Sequence, residues 1–174
     1  MTRKEFVKRI ANSKVDFLQD FLDFRKKEKV AFCVIGGLAV NAYAEPVVSL
    51  DLDIVIAIRK LDKLLSSLPK RYSVKQFPNS VNISDPGSDL RIQIQKDGRY
   101  QLFISRAVKK NVLGYKMPVA TIKDVLQGKI WSATDKTRRP SKRQKDLADI
   151  LRLIEMKPGL AAGIPGALRK SLNL

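Results

Sequence analysis

The chain has 174 residues, with 34 Lys+Arg against 17 Asp+Glu for a formal net charge of +17, one cysteine and no histidine. That length suits about one domain with a proper core. The single cysteine, Cys33, excludes an internal disulfide and a cysteine-based zinc site, and the lack of histidine excludes Ser-His triads, histidine metal sites and histidine bases.

No apolar run is long enough to span a bilayer, so no membrane partner is expected. The N-terminal residues form a charged amphipathic pattern without the apolar core of a signal peptide, and cytoplasmic residence is the expectation. The positive charge attracts polyanions. It is concentrated in Lys136–Lys145, with six cations in ten residues, and in Arg25-Lys26-Lys27. Two such patches can track a phosphate backbone, and a simply solvated basic surface is the plainer alternative.

In chain order, Lys4 to Lys27 reads as one long amphipathic helix with a stripe of Phe6, Ile10, Phe17, Leu18, Phe21, Leu22 and Phe24. Val30 to Ile35 is a short strand, broken by Gly36-Gly37, after which Leu38 to Ala44 is helical and stops at Glu45-Pro46. Asp51 to Ile58 alternates as a strand, with Leu52, Ile54 and Ile56 on one face and Asp51 and Asp53 on the other. Leu61 to Leu68 is a short helix. Tyr72 to Phe77 and Val81 to Ser84 are strands, and Asp85-Pro86-Gly87-Ser88 is a turn. Leu90 to Gln95 alternates again, Arg99 to Val108 reads as a helix, and edge pieces flank Gly114. Thr121 caps a helix through about Ser132, Ser141 caps another through Met156, and a last short helix covers Pro165 to Leu172. This order predicts an α+β fold: a small mixed sheet with helices packed on one face. One domain is expected over residues 1–174, with a core at about 30–120 and C-terminal helices at about 121–172.

Asp51 and Asp53 point the same way from one strand, roughly 7 Å apart by strand rise. Paired carboxylates repel, so such a pair holds a cation or a positive side chain. Magnesium takes a few carboxylates together with phosphate oxygens and water. Gly36-Gly37 lets the backbone approach a phosphate, or simply makes a tight turn. Ser49 offers a nearby hydroxyl, and Tyr43 and Trp131 are packing residues or base-stacking platforms.

Ile35-Gly36-Gly37 followed by Asp51-Leu52-Asp53 resembles the signature of the nucleotidyltransferase superfamily with the DNA polymerase-β-like fold. Lys129 and Lys145-Asp146-Leu147-Ala148-Asp149 are similar to the C-terminal pattern of its AbiEii-type toxin branch. The resemblance spans about Val30 to Glu155. It implies that Asp51 and Asp53 coordinate magnesium, that Gly36, Gly37 and Ser49 meet the phosphates of a nucleoside triphosphate, and that Lys129 and Lys145 supply positive charge. Asp146 and Asp149 fall in the same nucleotide-binding set, or stitch a helix by local ion pairs.

The fold of this superfamily supplies a third carboxylate from a neighbouring strand. Here the matching phase carries Gln93, which cannot take a proton at neutral pH, and Asp89 at the strand's start. Gly128 stands where the toxin branch often has a glutamate. The implied activity is nucleotidyl transfer to a hydroxyl of RNA or protein, within a toxin–antitoxin system that adds an antitoxin partner. The alternative is an inactive protein of the same fold that binds RNA or a partner through its basic surface.

Overall fold

The computed structural model describes residues 2–14 and 16–174, without the side chains of Arg3, Val7 and Ile10. Val15 and the Ile10 side chain of the expected stripe therefore lie outside what is described.

The expected N-terminal helix is two helices, α1 (Arg3–Ile10) and α2 (Phe17–Lys27). Thr2 and Glu5 open α1 reciprocally: the Glu5 N–H donates to the Thr2 hydroxyl at 3.2 Å, and the Thr2 N–H donates to the Glu5 carboxylate at 2.6 Å. The break has three causes that periodicity does not show. Asn12 takes a left-handed conformation, with φ of 46°. The backbone there docks on the 85–88 turn through Lys14 N–H to Gly87 O at 2.9 Å and Asp89 N–H to Ala11 O at 2.7 Å. Asp16 then caps α2 by accepting from Gln19 N–H at 3.1 Å. The buried face of α2 is Phe17, Leu18, Phe21 and Leu22, each stabilising by about 1.5–3 kcal/mol on burial.

Seven strands form one sheet: β1 (Phe32–Val34), β2 (Asp51–Ile56), β3 (Ser73–Gln76), β4 (Ser80–Ser84), β5 (Arg91–Gln95), β6 (Val108–Val112) and β7 (Tyr115–Val119). Their order is β3-β4-β5-β2-β1-β7-β6. β2 runs antiparallel to β1 and parallel to β5, so the sheet is mixed. The core face of its centre is Leu52, Ile54, Val81, Ile83, Ile92 and Ile94, all but inaccessible. The opposite face of β4, β5 and β2 carries Asn82, Arg91, Gln93, Gln95, Asp51 and Asp53, none of them fully buried.

The remaining helices are α3 (Gly36–Asn41), α4 (Leu61–Ser66), α5 (Phe103–Arg106), α6 (Ile122–Thr134), α7 (Pro140–Met156) and α8 (Gly166–Leu172). The α+β class with a mixed sheet is as the sequence indicated. Three local expectations change. The 99–108 segment is a 3-10 turn at Gly98–Tyr100 followed by the single turn of α5, and Val108 already belongs to a strand. The pieces flanking Gly114 are the two arms of a hairpin, and its second arm is interior because it pairs with β1. Ser141 does not cap α7: the helix begins at Pro140, whose missing N–H suits a first-turn position, and Arg139 holds the cap position without a side-chain bond.

Candidate active site

The site starts where β1 ends. Ile35 is extended and its N–H donates to Asp53 O at 2.9 Å, tying the turn to β2. Gly36 follows with φ of +68°, a conformation side-chain-bearing residues rarely adopt. A Cβ at Gly36 would lie 2.1 Å from Asp53 Oδ2, so the space as well as the backbone demands glycine. Gly37 is different: a Cβ there would meet only Ser49 Oγ, at 4.0 Å. Ser49 thus sits beside Gly37 on the approach to β2.

Asp53 is half-buried against this turn. Burial pushes its carboxyl up to about 6; Lys129, Lys145 and Arg138 pull it back, and Asp51 adds to the rise. Asp51, one pleat away, accepts from Arg91 Nε at 3.0 Å and pairs with Arg91 Nη2 at 2.8 Å. Arg91 is the residue opposite Asp51 in the β2–β5 register, and Gln93 is the residue opposite Asp53. Asp89 lies before β5 begins, and it is exposed. Gln93, not Asp89, therefore occupies the place beside Asp53.

α6 and α7 close the other side. Lys129 is buried, with Nζ 2.9 Å from Asp146 Oδ1 and 2.7 Å from Asp149 Oδ2. Burial alone would lower the Lys129 pKa, but Asp149 and Asp146 outweigh it and the net shift is upward. Asp146 Oδ2 also accepts from Arg138 Nε at 2.8 Å, and Asp149 Oδ1 accepts from Arg152 Nη1 at 2.7 Å. Arg152 continues to Asn41 Oδ1 at 2.8 Å and to Glu45 O, which links the network to α3. The two aspartates are thus engaged by cations from other turns and another helix, rather than by Lys142 or Lys145 one turn back.

Between the two sides lies a cleft of about 100 Å³, lined among others by Gly36, Asp53, Gln93, Lys129, Arg138 and Asp146. Lys145 is exposed and does not line it, although its charge reaches Asp53. Ser49 and Asp149 are also outside the lining. Gly128 packs against Tyr100, whose ring would be 3.1 Å from an added Cβ. Trp131 stacks on Phe103 at 5.8 Å with a 12° interplanar angle, and Tyr43 donates to Ala120 O at 2.8 Å. Both aromatics are therefore engaged in packing. Sequence reasoning missed Arg91 and Arg138 as parts of this site. Arg91 was visible in the polar phase of its strand, but its pairing with Asp51 depends on register. Arg138 was one cation in a run of six.

Among the described residues no group of three His, Cys, Asp or Glu side chains is placed to hold a metal ion. The oxygen donors on this strand face are the Asp53 carboxylate, the Gln93 amide beside it, and the Asp51 carboxylate, which is outside the cleft lining and paired with Arg91. That donor set fits a hard divalent ion whose remaining positions go to phosphate and water. The burial of Asp53, which Lys129, Lys145 and Arg138 offset only in part, is a second reason a cation suits this place.

A glycine turn from β1 into α3, followed by an acidic strand at the sheet's centre, places the chain in the nucleotidyltransferase-like fold. Solved structures share it. The lincosamide antibiotic adenylyltransferase LnuA, bound to lincomycin, matches with a TM-score of 0.56 at 15% identity, over 84% of this chain and 99% of that one. ANT(2")-Ia in complex with adenylyl-2"-tobramycin matches with a TM-score of 0.58 at 12% identity, over 90% and 94%. An antigenic nucleotidyltransferase-like protein from Paracoccidioides brasiliensis matches with a TM-score of 0.52 at 18% identity, over 88% and 76%. The sequence matches no family model and no curated protein.

Proposed function

We propose that the chain is a magnesium-dependent nucleotidyltransferase, moving a nucleotidyl group from a nucleoside triphosphate onto an acceptor oxygen. One observation carries this reading: the half-buried Asp53 carboxylate lies against Gly36 and opens on a cleft that holds Lys129 and Arg138. Asp51 and Asp53 would hold the metal, with the Gln93 amide oxygen beside them. The ion, when bound, supplies charge neutralisation at the phosphates. Gly36 and Gly37 leave the backbone bare toward the phosphates, with the Ser49 hydroxyl alongside. Lys129 and Arg138 face the cleft and draw the triphosphate's charge, and exposed Lys145 adds to that field. In this reading Asp146 and Asp149 hold Lys129 in position instead of touching nucleotide. Two structural neighbours support the chemistry by their own activities, an adenylyltransferase that binds lincomycin and a protein carrying adenylyl-tobramycin.

The AbiEii-type resemblance adds a hydroxyl of RNA or protein as acceptor and a toxin–antitoxin setting with an antitoxin partner. A cytoplasmic location fits that setting. Among the described residues no helix is long and apolar enough to cross a membrane. A second reading has specific support. Arg91 already neutralises Asp51, and Gln93 stands where a third carboxylate would be. That pair of facts favours a protein that binds nucleotide or RNA without turnover.

Incubation with each α-labelled nucleoside triphosphate, magnesium and total RNA separates the two. Metal-dependent transfer that disappears in Asp51→Asn and Asp53→Asn supports the enzyme. Binding of nucleotide or RNA without transfer supports the binder, and binding of neither nucleotide nor RNA at low salt removes both.

A further inference from the structure

Among the described residues, every carboxylate lining the cleft is tied to a cation of the chain except Asp53, and Asp53 is the one given above to the metal ion. The chain has no histidine. Three carboxylates line the cleft, Asp53, Asp124 and Asp146. Asp124 is closed off by Arg106, with Nη2 2.6 Å and Nε 3.1 Å away, and by the Thr121 hydroxyl at 2.8 Å. Asp146 is held by Lys129 and Arg138. Asp53 is the carboxylate assigned above to the cation. Beside it stands Gln93, whose amide does not accept a proton at neutral pH.

The remaining charges are positive. Arg138 enters the cleft, and the basic run that contains it continues outward through exposed Arg139 and Lys145. Arg91 is outside the cleft lining, two residues before Gln93 on the same strand face, with its side chain 43% exposed. Among the described residues the Arg91 guanidinium engages only Asp51, through Nε and Nη2, which leaves Nη1 for an anion. With Asp53 committed to the ion, a site of cations with no carboxylate to spare suits an acceptor that arrives already ionised.

We propose that the acceptor is a terminal phosphate monoester of a nucleic-acid strand, not a hydroxyl, with its charge met by Arg91. The inference rests on the nucleotidyl transfer proposed above and replaces the acceptor implied by family resemblance. A phosphate monoester carries ionised oxygen at neutral pH, because its second pKa is about 6. That oxygen attacks the α-phosphorus of the triphosphate and forms a P–O–P link. The bond from the α-phosphorus to the bridging oxygen of the β-phosphate breaks, and pyrophosphate leaves with the electron pair. No proton has to be removed from the acceptor. The strand behind the phosphate follows the basic run away from the cleft.

The test offers α-labelled nucleoside triphosphates and magnesium to one RNA oligomer in several forms: with a 5′- or 3′-terminal phosphate, dephosphorylated, and 5′-phosphorylated with its 3′ end oxidised by periodate. A nucleoside monophosphate is offered separately. We expect at least tenfold more label on a phosphorylated oligomer than on the dephosphorylated one. Oxidation of the 3′ end should change nothing, and an enzyme that cleaves diphosphate links should release the label. Arg91→Ala should weaken metal-free binding of the phosphorylated oligomer about tenfold and leave the dephosphorylated one unchanged, while Arg91→Lys recovers part of the loss. Gln93→Glu should give no gain with the phosphorylated acceptor.

Equal labelling of the dephosphorylated oligomer, lost on periodate oxidation, would overturn this inference while leaving nucleotidyl transfer standing. Preferential labelling of the free monophosphate would overturn the nucleic-acid end, and a tenfold gain in Gln93→Glu would overturn the pre-ionised acceptor. Failure to bind any nucleotide would instead bring down the proposed activity itself.

Discussion

Gly36 and Asp53 share a space in which neither can grow. The left-handed backbone of Gly36 and its contact with Oδ2 mean that Gly36→Ala must move the carboxylate or the turn. We expect a loss of about 2–3 kcal/mol in urea denaturation, together with weaker nucleotide binding. Gly37→Ala, which meets only Ser49 at contact distance, should cost far less. Asp53 sets function against stability. Its folded pKa of about 6 lies above the ordinary 3.8, so the folded chain binds the proton more tightly than the unfolded one. Stability from this group is therefore present below about pH 4 and is lost as pH rises through about 6. Asp53→Asn removes the charged form, and should stabilise the metal-free protein at pH 7 by on the order of 2 kcal/mol. Thermal melts at pH 4.5 and 7 should show that difference shrinking at the lower pH, and a variant less stable than the parent at pH 7 would contradict it.

At the scale of elements, α6, α7 and α3 are joined by one buried ionic network. Lys129 bridges Asp146 and Asp149, and Arg152 carries the chain of contacts to Asn41. Lys129→Met keeps the side chain's volume but leaves two buried carboxylates short of a cation. Breaking such a pair costs about 3–5 kcal/mol, and chemical denaturation should read a loss of that size. Lys145→Met, at an exposed position, should leave stability within about 0.5 kcal/mol. The network also shows what spacing leaves open about Asp146 and Asp149. Two acids three residues apart on a helix look like local pairing or ligand contacts, and only the crossing of α6 over α7 brings Lys129 between them. The α1–α2 break has a similar origin. The apolar stripe is nearly continuous across residues 4–27, and the stop comes from docking on the 85–88 turn, far away in sequence.

At the scale of the molecule, the field of +17 is the dominant fact. Binding to RNA should weaken linearly on a log–log plot of affinity against salt. Reversing Arg139, Lys142 and Lys145 to glutamate should flatten that slope by about three phosphate contacts, with the fold retained because none of the three is buried. A slope unchanged in the triple variant would place the nucleic acid on another face.

Much of this was local and therefore readable. Strand alternation put Asp51 and Asp53 on one face, the diglycine marked the turn before them, and phase narrowed the side chain beside the acidic pair to Gln93 or Asp89, between which the register chose Gln93. These depend on periods of two and on glycine's conformational range, which the chain carries residue by residue. What tertiary structure decided was register and docking. The β2–β5 pairing set Arg91 on Asp51, the α6–α7 crossing enclosed Lys129 between two aspartates, and the return of Arg138 brought one cation of the basic run into the cleft. Such contacts join residues 8 to 40 positions apart, and no short-range pattern encodes which of many similar charges will meet.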